Sequence, residues 1–168
     1  MSVTLDGLLA LLDEAYDRRA WHGTNLRGAI RRVEPHQVTW RPGPGRHNVW
    51  ELVVHAAYWK YVVRKRVSGM PRGGFPLAGT NFYPRDGPFD QARWQADLDL
   101  LADQHRQLRA AVAALEDTDL DRQAGGKPLA WTIRGAAAHD LYHAGQIQLL
   151  KTLAPPSRRA AAGKGAVR

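Results

Sequence analysis

The chain has no cysteine, only two methionines, and no apolar run near the ~18 residues that a membrane-spanning helix needs. Without cysteine there is no disulfide, no thiolate metal site and no cysteine nucleophile; any thiol in the chemistry must arrive with a cofactor or substrate. The N-terminus, Met1-Ser2-Val3-Thr4-Leu5-Asp6, lacks a basic stretch followed by an apolar one, so a cytoplasmic protein is the expectation. Alternation of β type long enough to support a sheet is missing too, and no internal repeat is visible. One further absence is local: residues 144–168 contain no His, Asp or Glu.

What is present is a 168-residue chain, 44% hydrophobic, with a net charge of +8. That length reads as one domain with a proper core. The expected boundaries are 1–153 for a helical-bundle domain and 154–168 for a disordered basic tail. Pro155-Pro156 leads into a segment rich in Ala and Gly, where Arg158, Arg159, Lys164 and Arg168 contribute +4 of the +8 with no acid among them. A second group, Lys60, Arg64, Lys65, Arg66 and Arg72, falls at the end of a predicted helix, where cations complement the helix dipole. No nucleic-acid-binding motif accompanies the charge, so neither a nucleic acid nor a membrane is the expected partner.

Four helical stretches are predicted. The first runs from about Leu5 to Val33 with a break near Trp21-His22-Gly23, where glycine disfavours a continuous helix and Thr24 or Asn25 can cap the second half. After the turn-forming Arg41-Pro42-Gly43-Pro44-Gly45, Asn48 is an N-cap with Glu51 three residues on, a variant of the capping box. The second helix then runs to about Ser68, stopped by Gly69 and Pro71. Residues 69 to 89 form a long irregular connection, a length often associated with a functional loop or lid. The third helix runs from an Asp90 cap to about Leu115 with the stripe Trp94, Leu98, Leu101, His105, Leu108, Val112 and Leu115, a seam suited to antiparallel bundle packing. The fourth runs from about Thr132 to Leu153. The fold class that follows is all-α, a four-helix bundle with a long loop between helices 2 and 3.

Within the fourth helix the chain reads His139-Asp140-Leu141-Tyr142-His143-Ala144-Gly145-Gln146. Histidines at i and i+4 stand one above the other on one face and can grip a single divalent ion. At about 100° per residue, His139, His143, Gln146 and Leu150 fall within about 60° of arc, and Ile147 and Leu150 make this the buried side. The bland alternative is a pair of core histidines satisfied by hydrogen bonds. A third ligand from another helix distinguishes the two. His55 shares a face with Leu52, Ala56 and Trp59; His105 competes from the third helix, while His47 precedes the second helix, His22 lies at the break in the first, and His36 sits in a polar loop. A zincin peptidase is disfavoured, because Asp140 stands where its helix carries Glu and no downstream ligand exists.

Pro44-Gly45-Arg46-His47-Asn48-Val49-Trp50-Glu51-Leu52-Val53-Val54-His55, followed by Trp59-Lys60, resembles the second-helix motif of the DinB/YfiT-like superfamily, and His139 to Ile147 is similar to its fourth-helix motif. With Trp21-His22-Gly23 and Trp94 the likeness spans roughly residues 5–153. The resemblance implies a bundle that holds one divalent metal through His55, His139 and His143. Imidazole suits zinc, nickel, copper and iron alike, and zinc or nickel is the expectation, with iron as an alternative. It implies a homodimer and a small-molecule substrate. Characterised relatives include bacillithiol S-transferases and a mycothiol-dependent maleylpyruvate isomerase, so a low-molecular-weight thiol is an expected co-substrate.

The expectation is therefore a metal-dependent enzyme of the thiol S-transferase or hydrolase type. The alternatives are a non-catalytic metal or small-ligand binding protein and, further off, a basic nucleic-acid-associated protein. Asp140, Gln146 and His47 are the candidates for catalytic roles. Asp140, about 100° from His139, reads equally as an acceptor for a ligand imidazole or as a partner for Arg134. Gln146 lies one turn below His143 and is placed to orient bound water. Tyr142 is a weaker pocket candidate, and Trp50 and Trp59 read as packing residues.

Overall fold

A computed structural model describes residues 3–71 and 74–157; the expected basic tail lies outside them from Arg158 onward. Four long helices make the bundle: α1 (Leu5–Tyr16), α4 (Val49–Ser68), α5 (Gln91–Ala113) and α6 (Leu129–Leu153). Two short helices, α2 (Leu26–Ile30) and α3 (Pro35–Thr39), lie between α1 and α4, and a 3-10 turn (Asp117–Asp121) precedes α6. Among the described residues there is no strand, only an isolated bridge between Gln123 and Pro128.

The first predicted helix is shorter and more broken than its apolar pattern suggests. It stops at Tyr16, and the next helical turn begins only at Leu26. Gly23 sits at φ +93°, and Asn25 ties the intervening loop down by donating to the Arg18 carbonyl (2.8 Å) while its Oδ1 accepts from the Gly28 amide (2.8 Å). Asn25, not Thr24, is thus the cap. Pro35 then occupies the first position of α3, where its missing N–H costs nothing. Helix α4 matches its predicted limits, closed by Gly69 at φ +63°. Its capping box is only half made: Asn48 Oδ1 accepts from the Glu51 amide at 2.9 Å, but the Glu51 carboxylate turns to other partners. Helix α6 starts three residues before the predicted Thr132, whose hydroxyl is taken up by the Pro128 carbonyl (3.3 Å).

Contacts between elements fix the topology. Trp50 meets Trp94, Lys60 meets His105 and Arg64 meets Gln107, a near-constant offset along the chain, so α4 and α5 run parallel. Asp13 with Arg109 and Tyr16 with His105 show α1 antiparallel to α5, and Lys60 with Asp140 accords with α6 antiparallel to α4. The α5 seam therefore serves an antiparallel neighbour on one side and a parallel one on the other. Parallel neighbours need a long crossover, which is why residues 69–90 must travel back along the bundle.

The apolar core is in two parts. One contains Trp50, Val53, Val54, Trp94, Leu101, Ala144 and Ile147; the other contains Leu8, Leu12, Val63, Leu108, Val112, Leu129 and Ile133. Between them in α4, α5 and α6 fall the buried polar residues Lys60, His105, Asp140 and His143.

Candidate metal centre

His55 comes from the second turn of α4, and His139 and His143 from the middle of α6. Antiparallel packing of these two helices brings the three rings to one point. His139 Nε2 lies 3.1 Å from His55 Nε2 and 3.0 Å from His143 Nε2. One ligand atom from each residue lies within 4.8 Å of the others, the proximity that a shared metal ion requires.

The outer nitrogens decide what the inner ones can do. His55 Nδ1 is 2.9 Å from the Asn81 carbonyl, which only accepts, so the proton sits on Nδ1. His143 Nδ1 is 2.6 Å from Gln146 Oε1 and donates to it in the same way. Both Nε2 atoms therefore carry lone pairs, and both face His139 Nε2. A neutral His139 has one proton at most to place there, so at least one inward lone pair lacks a donor. A cation resolves the mismatch. Burial disfavours a proton in that role: it pushes His139 down to about 3 and His143 to about 4, with the neighbouring imidazoles adding to the effect, and it lowers His55 too. Neutral imidazoles with fixed tautomers are the form in which histidine binds a divalent metal.

The long crossover supplies part of the centre. Asn81, at φ +63°, turns its carbonyl to His55 while its Oδ1 accepts from Trp59 Nε1 (3.0 Å). Asparagine is among the few residues that tolerate this left-handed conformation. Phe82 follows, stacked at 3.9 Å on His55 and at 3.6 Å on His47. Neither Asn81 nor Phe82 stood out in the sequence; the one signal was the unusual length of the crossover.

Among the candidates for catalytic roles, Gln146 contacts the cluster directly through His143. His47 reaches it only across Phe82, its Nδ1 being bonded to Glu51 (2.9 Å). Asp140 points away. Its carboxylate is engaged by Lys60 Nζ, not by an imidazole of the cluster and not by Arg134. Lys60 also lies 3.4 Å from His105 Nδ1, and the His105 ring stacks on Tyr16 at 3.7 Å. His105 therefore belongs to a separate buried cluster, where burial and the adjacent Lys60 cation bring it down to about 3. Tyr142 is exposed, as is His22, and His36 is half-buried outside the cluster.

A third network holds the start of α4. Burial alone would raise Glu51, but paired hydrogen bonds from Arg41 (2.7 Å each) and one from His47 bring it down to about 2. Trp50 Nε1 donates to Asp97 (2.6 Å), which also pairs with buried Arg85 (2.7 Å), so Trp50 packs and anchors at once. Beside His139 a cavity of about 340 Å³ opens between α4 and α6. A larger one, about 920 Å³, lies between α4, Met70, residues 74–80 and the Arg122–Gly125 turn, and none of the three histidines lines it.

The model of the DinB superfamily matches residues 16–147. No curated protein and no solved structure shows significant similarity to the chain. The matched span runs from the last residue of α1 into the second half of α6 and takes in all three clustered histidines; the chain belongs to the DinB superfamily.

Proposed function

We propose that the protein is a divalent-metal-dependent enzyme, with His55, His139 and His143 as the ligands, acting on a small molecule by transfer to or from a low-molecular-weight thiol. The observation that carries the metal reading is the facing of the His55 and His143 lone pairs across His139, each fixed by an outer hydrogen bond. The donor set suits zinc or nickel, and iron as an alternative. When bound, the ion supplies a Lewis-acid charge that stabilises a thiolate or hydroxide at neutral pH.

The chain's own groups favour the thiol side of that choice. A hydrolase built on this plan gains from a nearby carboxylate as general base, but Asp140 is turned to Lys60 and Glu51 to Arg41. A thiol held as thiolate is already the nucleophile and needs no such base. The chain has no cysteine, so the thiol belongs to a co-substrate. Asn81 and Gln146 act as positioning residues that keep the His55 and His143 rings turned inward, while Phe82 covers the His55 ring against solvent.

The test is a turnover screen of several low-molecular-weight thiols with electrophiles, run on metal-loaded and chelated protein. Thiol-dependent turnover that chelation removes and metal restores is the expected result. Stoichiometric metal with no thiol-dependent turnover would favour a non-catalytic binding protein instead.

A further inference from the structure

The 340 Å³ cavity beside His139 has a lining that specifies more than its volume does. Its walls are apolar and aromatic, chiefly Trp59, Val63, Trp131 and Ala136. Of the three clustered histidines only His139 lines it. The sole acid in the lining, Asp140, is neutralised by Lys60. At the exposed side stands Arg66, which makes no ion pair among the described residues, and Lys127 lies 5.6 Å from the centre of the Trp131 ring.

Gly135 stands at the exposed rim of this cavity. It lies inside α6 and lines the same cavity, and a Cβ built on it meets nothing within 4 Å. Glycine inside a helix is disfavoured relative to alanine, and neither a close packing contact nor a positive φ accounts for it. Gly135 is exposed, and what its missing side chain leaves is open space at the rim of the cavity.

We propose that this cavity is the substrate subsite of the metal centre and takes a small anion with an apolar, ring-bearing body. The ring lies between Trp59 and Trp131 across Gly135, the negative group meets Arg66, and the reactive end reaches the His139 side. The volume, at the low end for small-molecule sites, suits one ring with a short chain. This assignment rests on the metal-enzyme reading above, but its test does not.

The test compares 3-phenylpropanoate with its neutral analogue 3-phenylpropan-1-ol, titrated calorimetrically into wild-type, Gly135→Leu and Arg66→Met protein, each chelated and metal-loaded. Saturable binding of the carboxylate is expected, weakened about tenfold or more by Gly135→Leu. Arg66→Met should weaken the carboxylate about fivefold, the scale of an exposed charge pair, and leave the alcohol unchanged. Gly135→Leu, whose Cβ meets nothing within 4 Å and which improves helix propensity, should keep wild-type thermal stability and metal content. Equal binding by wild type and Gly135→Leu would overturn the subsite. So would carboxylate binding that vanishes on chelation and ignores Arg66→Met, because that places the carboxylate on the metal. Failure of the metal reading shows separately, as binding that persists in a protein without stoichiometric metal.

Discussion

Two buried polar clusters bridge α4 and α6, and they are built on different principles. Lys60, Asp140 and His105 match one another: a cation faces a carboxylate and a neutral ring nitrogen, so only Asp140 Oδ1 is left without a partner. His55, His139 and His143 do not match, because three neutral rings present more inward lone pairs than donors. The first cluster is buried at the junction of the two apolar cores, whereas His55 lies within the first core and His139 is only partly buried. A structural polar cluster and a binding one are distinguished by whether donors and acceptors balance. The first balances its charges among its own members with one carboxylate oxygen left over, whereas the second offers inward lone pairs that a cation from outside would satisfy.

The largest effect expected from this contrast lies in the closed cluster. Lys60→Met leaves a buried carboxylate without its cation and should cost about 3–5 kcal/mol in urea unfolding. Adding Asp140→Leu should recover most of that loss, since an ion pair exchanged for apolar groups is often close to neutral. A cost below about 1 kcal/mol for Lys60→Met would mean the pair is not the desolvated unit described above.

The open cluster should respond to metal rather than to truncation. At free metal a thousand times Kd, the wild type should gain about 4 kcal/mol over chelated protein. His139→Ala should gain nothing from metal, and in chelated protein it should cost much less than Lys60→Met. Thermal melts with and without metal check both statements.

The pH dependence follows from the depressed histidines. In the folded, chelated protein His139 titrates at about 3 and His143 at about 4, against an ordinary value of 6.5. Below pH 6.5 the unfolded chain takes up protons that the folded rings refuse, so stability falls as pH drops from about 6.5 towards 3. Burial lowers His105 to about 3 as well, so it adds to the fall. The His139→Ala, His143→Ala double variant should show a shallower decline between pH 6 and 4 by urea unfolding (range set by the roughly 6.5 histidine reference). An unchanged slope would place the proton linkage elsewhere.

The smallest effect concerns orientation. Gln146→Leu removes the acceptor that holds the His143 proton on Nδ1, and should weaken metal about 10- to 100-fold while leaving its stoichiometry intact. Competition against a chromogenic chelator measures this, and unchanged affinity would show that α6 alone sets the ring.

How far the sequence spoke of this centre depended on the range of each contact. His139 and His143 were legible because helix periodicity places i and i+4 together. Periodicity also put Asp140 off their line, but could not say that Lys60, eighty residues earlier, would meet it. His55 was one of several open histidines until the family motif singled it out. Asn81 and Phe82 were invisible, since a crossover loop has no period and its register on α4 is set by tertiary packing. The fold showed the same division. Caps predicted the ends of α4, whereas the broken segment between α1 and α4 followed from local side-chain bonds of Asn25 that override an apolar pattern.

Three histidines from α4 and α6 should together hold one metal ion. Elemental analysis of untagged protein, wild type beside His55→Ala, tests it most directly. About one divalent ion per chain in the wild type, and a loss of nearly all of it in His55→Ala, is the predicted result. Full retention of metal by His55→Ala, or wild-type protein that takes up none from a metal-replete medium, would rule out a shared three-histidine site.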